Sequence, residues 1–168
     1  MAQVVDDALR LSADRLSRAR VSVARRVPVG LQVRGDRDLL VQACLNIINN
    51  AADAMRDRAP GALTIRARRA GRRLELSFTD TGPGVAPEVA QRIFDPFFTT
   101  KGVGEGTGLG LSITLNIVTD HGGTLSVENV PHAGACFRCS FPALRPMVPA
   151  GRPPRRRSHA SSRSRTPT

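Results

Sequence analysis

The stretch CLNIINNAADAM, residues 44–55, constrains the fold of this chain more than any other. It lies in the run GDRDLLVQACLNIINNAADAMRDR, which reads as one long helix. Asp36 suits the N-cap, Asp38 suits the first turn, and Pro60-Gly61 ends the run. Asn is a poor helix former because its amide competes for backbone hydrogen bonds. Even so, Asn46, Asn49 and Asn50 stand within five residues of one another. At about 100° per residue, Asn46, Asn50 and Asp53 fall within roughly 60° of each other. Leu40, Cys44, Ile47, Ile48, Ala51 and Met55 share a separate sector. The apolar sector needs a sheet to pack on. The polar stripe has two readings: a solvated face, or a wall of amide oxygens. Such oxygens are hard donors that suit Mg²⁺ when the ion also binds substrate phosphates.

The rest of the chain supplies that sheet. Residues 3–18 repeat apolar side chains at helical spacing. VSVARRV (21–27) and LQVR (31–34) read as short strands, and residues 62–80 read as a hairpin around Gly71. PEVAQRIF (87–94) is a short helix, and a further helix runs from Leu109 to Gly122-Gly123. TLSVENV and ACFRCSFP are the last strands. This order implies an α+β chain folded as a two-layer α/β sandwich, with a mixed, mostly antiparallel sheet and helices on one face. Residues 1–143 are expected to form the domain and 144–168 a disordered tail rich in Arg, Pro and Ser.

Charge and cysteine usage narrow the function. The net charge is +11, but seven Arg and no acid lie from Arg145 onward, leaving +4 for the body. The tail has no aromatic to stack on bases, so nucleic acid is not an expected partner. Three Cys make no disulfide framework, and Cys136 and Cys139 on one strand point to opposite faces, so all three read as core thiols. No run is long enough to cross a membrane, and MAQVVDDALRL carries two Asp where a signal peptide is basic. The expectation is a cytoplasmic protein without direct membrane contact.

Two loops carry the candidate chemistry. In Asp80-Thr-Gly82-Pro-Gly84 an acid ends a strand and two glycines let a flat ring approach backbone; a tight turn is the plainer reading. In RIFDPFFTTKGVGEGTGLGLS (92–112), glycines stand at every second position from 102 to 110. That spacing fits neither G-x-G-x-x-G nor the G-K-[ST] of a P-loop. It does lead Gly-rich backbone into a helix N-terminus near Leu109, which favours phosphates. The glycines also suit the hinge of a lid that orders on ligand, against the alternative of a loop with no ligand.

Taken together, these segments resemble the ATP-binding domain of bacterial sensor histidine kinases. That domain belongs to the GHKL superfamily, with gyrase, the heat-shock chaperone ATPase and mismatch-repair ATPases. Asn46, Asn50 and Ala51 match the family's first box, and Asp80, Gly82 and Gly84 its D-x-G-x-G box. Phe94, Phe97 and Phe98 match its F box, and Gly106-Thr-Gly108-Leu-Gly110 its second glycine box. His121-Gly122-Gly123 and Gly134 to Phe137 complete it. The run FDPFFTTK…GEGTGLGLSI resembles the nitrogen-regulation and dicarboxylate-sensing subgroup.

The resemblance implies ATP and Mg²⁺ as cofactors. Asp80 would bind the adenine amino group, with Gly82, Gly84 and Phe94 around the nucleotide. Asn50 would ligate Mg²⁺, with Asn46 as a second candidate ligand or phosphate contact. Gly106, Thr107, Gly108, Leu109 and Gly110 would hold the phosphates, and Lys101 would reach the terminal one. Hydrolases of the superfamily place a Glu where Asn46 stands, as general base for water; an amide takes no proton. The resemblance therefore implies a protein histidine kinase that transfers the γ-phosphoryl group to a histidine and hydrolyses ATP poorly. Its partners would be a histidine-containing dimerisation domain and then a response regulator. The acceptor pattern, His followed by Glu or Asp, is not met at His121, His132 or His159. A fragment, a split kinase and a remnant are all compatible with that, and the chain alone is not expected to label itself. Two rivals are an anti-sigma-type serine kinase and a non-catalytic ATP-binding docking module.

Overall fold

The computed structural model describes residues 1–58, 60–100, 102, 106–131 and 133–144. Its centre is α3 (Arg37–Met55), a helix of 19 residues. The Asp36 carboxylate caps it, accepting from the backbone N–H of Asp38 (2.8 Å) and Leu39 (3.1 Å). All six members of the apolar sector are buried, from Leu40 to Met55. A 3-10 turn, Arg56–Arg58, follows.

Five strands form one sheet in the order β1-β2-β3-β5-β4. They are β1 (Val21–Arg26), β2 (Gly61–Ala70), β3 (Arg73–Asp80), β4 (Thr124–Asn129) and β5 (Ala135–Pro142). β1 runs parallel to β2, joined through α3; the other pairings are antiparallel. In β2 and β3 every second side chain (Leu63, Ile65, Ala67, Leu74, Leu76, Phe78) is buried under the helices. The alternate positions, among them Arg66, Arg68, Glu75 and Ser77, make the wet face.

Helices α1 (Ala2–Leu11), α2 (Ala13–Arg18), α4 (Pro87–Ala90) and α5 (Gly110–Asp120) complete the fold. Val4, Val5 and Ala8 of α1 join the same core as α3 and the sheet. The long connection between β3 and β4 carries α4, the Phe94–Phe98 segment, the glycine run and α5. Cys44, Cys136 and Cys139 are buried free thiols, and burial pushes the Cys44 thiol up to about 12.

Four expectations need correction. The helix expected over 3–18 is two, because the backbone at Ser12 flattens to φ −91°, ψ −1°. Past the break, Arg15 of α2 pairs with Asp53 of α3. The run 31–34 forms no strand: between Gly30 and Gly35 only Val33 makes an isolated antiparallel bridge, to Ala143. The helix expected over 87–94 stops at Ala90 and continues as turns, with Arg92 N–H donating to Val89 O at 2.8 Å. Leu109 is the N-cap of α5 rather than its first residue. The tail from 145 lies outside the described residues.

Ile47 is fully buried between sheet and helices. Ile47→Ala is expected to cost about 2–5 kcal/mol of unfolding free energy, and Asp36→Ala about 1 kcal/mol through the lost cap. Urea titration followed by circular dichroism reads both, and an equal loss in the two variants would contradict this division of labour.

Candidate functional site

The polar stripe of α3 faces a cavity of about 500 Å³ rather than open solvent. Asn46, Asn49, Asn50 and Asp53 form one wall, and Gly106, Thr107, Gly108 and Gly110 form another. Ile93, Phe98 and Thr99 lie on the remaining side. The Asn46 amide nitrogen donates to Gly110 O (3.0 Å) and Thr114 Oγ1 (3.3 Å), tying the first turn of α5 to α3. A ligand role for Asn46 therefore falls to its oxygen. Among the described residues the Asn49 Oδ1 is buried without a hydrogen-bond partner, which costs about 1–3 kcal/mol unless a donor or cation arrives. Among the described residues no group of three or more His, Cys, Asp or Glu is placed to hold a metal ion. Neutral amide oxygens lining a cavity of this size fit an ion that keeps waters and shares ligand phosphates, as Mg²⁺ does.

The glycine wall is held by close backbone contact. Gly108 has φ +66°, and a Cβ there would lie 2.7 Å from Phe97 Cα. Phe97 itself takes φ +64°. The F-box segment and the glycine run thus lean on each other, and Arg92 stacks over the Phe98 ring at 4.6 Å.

Asp80 does not line this cavity. It sits at the end of β3, 3% exposed. Its Oδ1 accepts from Gly82 N–H (2.8 Å) and Ala135 N–H (3.1 Å). Burial raises its pKa above the ordinary carboxylate range, and the two backbone N–H bonds pull the other way. Gly134 makes room for it: a Cβ there would overlap Asp80 Oδ1 and lie 2.6 Å from Gly82 N. Thr81 Oγ1 lies 3.5 Å from Met55 Sδ, so the Asp80 loop abuts the last turn of α3. From Asn46 to Ala54 the helix advances about 12 Å. Gly110, the asparagines and the Asp80 loop are strung along that span.

Of the expected site residues, Asn46, Asn50, Gly106, Thr107, Gly108 and Gly110 converge on the cavity. Asp80, Gly82 and Gly84 form the adjoining loop, Leu109 caps α5, and Phe94 is half-buried against the core. Lys101 lies outside the described residues, as do 103–105 at the centre of the expected lid. Sequence reasoning missed Arg15, Asn49 and Asn129. Asn129 pins the Asp80 loop to β4, accepting from Val85 N–H (2.8 Å) and donating to Val85 O (2.7 Å). Its only sequence signal was an Asn at a strand end.

The model of the histidine kinase-, DNA gyrase B- and HSP90-like ATPase family matches residues 35–145. The C4-dicarboxylate transport sensor protein DctB of Rhizobium meliloti is 39% identical over 138 residues, covering 82% of this chain and 22% of that protein. The mycobacterial sensor histidine kinase MprB superposes with a TM-score of 0.75 at 31% identity, covering 88% of this chain and 97% of that one. Full-length ShkA, solved in complex with AMPPNP, superposes with a TM-score of 0.72 at 29% identity, covering 84% of this chain and 29% of that one. The chain thus spans about a fifth of the length of DctB. These relatives do not single out the nitrogen-regulation subgroup that the run FDPFFTTK…GEGTGLGLSI resembles. With its two-layer fold, its asparagine wall and its glycine-fed helix, this chain belongs to the histidine kinase-, DNA gyrase B- and HSP90-like ATPase family.

Proposed function

We propose that residues 1–143 bind Mg²⁺-ATP and donate its γ-phosphoryl group to a histidine on a separate dimerisation domain, from which a response regulator is charged. The observation that carries this reading is one cavity joining the asparagine wall of α3 to the glycine run feeding α5. Asn50 holds Mg²⁺, with the Asn46 oxygen as a further donor. Bound there, the ion would supply positive charge to offset that of the transferring phosphoryl group. Backbone N–H groups from Gly106 to Gly110 meet the phosphates at the positive end of α5. Asp80, Gly82 and Gly84 take the adenine, with the Asp80 carboxylate accepting from its amino group, and Phe94 packs behind. Lys101 is proposed to reach the terminal phosphate. AMPPNP in the structural neighbour ShkA supports a triphosphate ligand. No helix among the described residues is long and apolar enough to cross a membrane, and the unit is proposed to act in the cytoplasm.

Asn46 stands where a general base for water would be needed, and its amide is committed to α5. Slow hydrolysis follows. His121 is not the acceptor. Its Nε2 accepts from Asp36 N–H (3.0 Å) and its Nδ1 is 2.6 Å from Ile117 O, so neither ring nitrogen is available to attack phosphorus. His132 and His159 lie outside the described residues.

The test is a thermal-shift titration with ATP and ADP, with and without Mg²⁺. At about 100 times the dissociation constant, wild type should gain about 2.7 kcal/mol. Asn50→Ala should lose the Mg²⁺-dependent part of that gain. Incubation with radiolabelled ATP should leave the chain unlabelled. Stable label on one of its own histidines would contradict the proposal. Binding without transfer to any histidine domain would leave a docking module instead.

Asp80 adds a pH signature. Its raised pKa means that the ionised carboxylate works against the fold at neutral pH, and this penalty is relieved as pH falls through the folded-state pKa. Asp80→Asn keeps an oxygen to accept both backbone N–H bonds. It is expected to melt no lower than wild type at neutral pH while losing nucleotide binding. Wild-type binding should weaken on acidification at a pH above the usual Asp range, where the carboxylate takes up a proton. A variant that melts lower and still binds ATP would refute this account.

A further inference from the structure

One side chain of the cavity wall comes from outside the segments already assigned. Arg15 of α2 is the sole cation among the described residues that line it. Asp53 holds it in a two-point pair, Arg15 Nε to Asp53 Oδ1 at 2.8 Å and Nη2 to Oδ2 at 3.1 Å. The pair bridges 38 residues of sequence. The Asp53 side chain is only 8% exposed, and Arg56 also bonds it at 3.2 Å. Two guanidinium groups thus flank one carboxylate, and the trio is net positive.

Asp53 lies one helical turn past Asn50 on the same stripe. A bare carboxylate in the wall of a polyphosphate cavity would repel its ligand; paired with Arg15 it serves instead as an anchor. A guanidinium has five N–H donors in a fixed plane, and the Asp53 pair uses two of them. The others remain for a second oxyanion. Arg stays charged at every working pH, and its fork matches phosphate as it matches carboxylate. Location decides which part of a nucleotide it meets. Arg15 shares the cavity with Asn50 and the Gly106–Gly110 wall, whereas Asp80 lies outside it.

We propose that Arg15, oriented by Asp53, binds the polyphosphate end of a nucleoside triphosphate and sets the preference for triphosphate over monophosphate. The proposal rests on the ATP-binding reading above and adds a residue to it. Arg15 lies in the first turn of α2, just past the break at Ser12.

The experiment is calorimetric titration of the full chain with Mg²⁺-ATP, Mg²⁺-ADP and AMP, using wild type, Arg15→Gln, Arg15→Lys and Asp53→Asn. Loss of a charge-assisted contact should weaken Mg²⁺-ATP about ten-fold or more in Arg15→Gln, with AMP unchanged. Arg15→Lys should recover part of the loss, and Asp53→Asn should fall between wild type and Arg15→Gln. AMP binding by the same variant shows that the pocket is intact. If Arg15→Gln binds Mg²⁺-ATP like wild type, or loses ATP and AMP equally, the assignment of Arg15 is overturned while nucleotide binding stands. If wild type binds no adenine nucleotide, the ATP-binding reading fails and this assignment falls with it.

Discussion

Everything in this fold depends on α3 being buried on one side and open on the other. Ile47, Ile48, Ala52 and Met55 are 0% exposed against the sheet and neighbouring helices, so the helix cannot rotate without drawing polar amides into the core. That burial fixes the direction in which Asn46, Asn49 and Asn50 point. Burying Ile47 and Ile48 together is worth about 3–6 kcal/mol, more than the roughly 2 kcal/mol that poor intrinsic propensity costs at three Asn positions. Packing therefore overrides propensity, and asparagines survive in a helix interior because the core holds the helix for them.

The site draws on a limited stock of unfavourable groups. Asp80 is a buried carboxylate stabilised by two backbone N–H donors rather than by a cation. Asn49 carries a buried oxygen with no partner among the described residues. Phe97 takes a left-handed backbone conformation that non-glycine residues rarely adopt. Each costs stability in the unliganded protein, and all three lie on α3, at the end of β3 or in the long connection between β3 and β4. Such groups gather where a ligand supplies the missing interaction, which is the expected pattern for a binding site.

Much of the site was readable in advance because it is built from local signals. Asp36 as N-cap, Gly71 in the hairpin, and glycines ahead of α5 each follow from backbone chemistry within a few residues. The failures were local as well. Ser12 broke a helix whose apolar spacing ran on through it, and residues 31–34 had strand-like composition but pair with the chain only through the single bridge from Val33 to Ala143. Asn49 was passed over as part of the stripe, since angle alone placed Asn46 and Asn50 together.

The sequence by itself determined most of the elements, the two faces of α3 and the positive-φ hairpin glycine, Gly71. Those features depend on periodicity and on allowed dihedral angles, which are properties of neighbouring residues. Tertiary structure decided which groups meet. Arg15 finds Asp53 across 38 residues, Asp80 finds the Ala135 N–H across 55, and Asn46 finds Gly110 across 64. Each meeting requires strand register, the turn at Ser12 and the packing of α5 on α3 to be in place together. No local pattern encodes such distances, because they arise from the sum of all the packed layers.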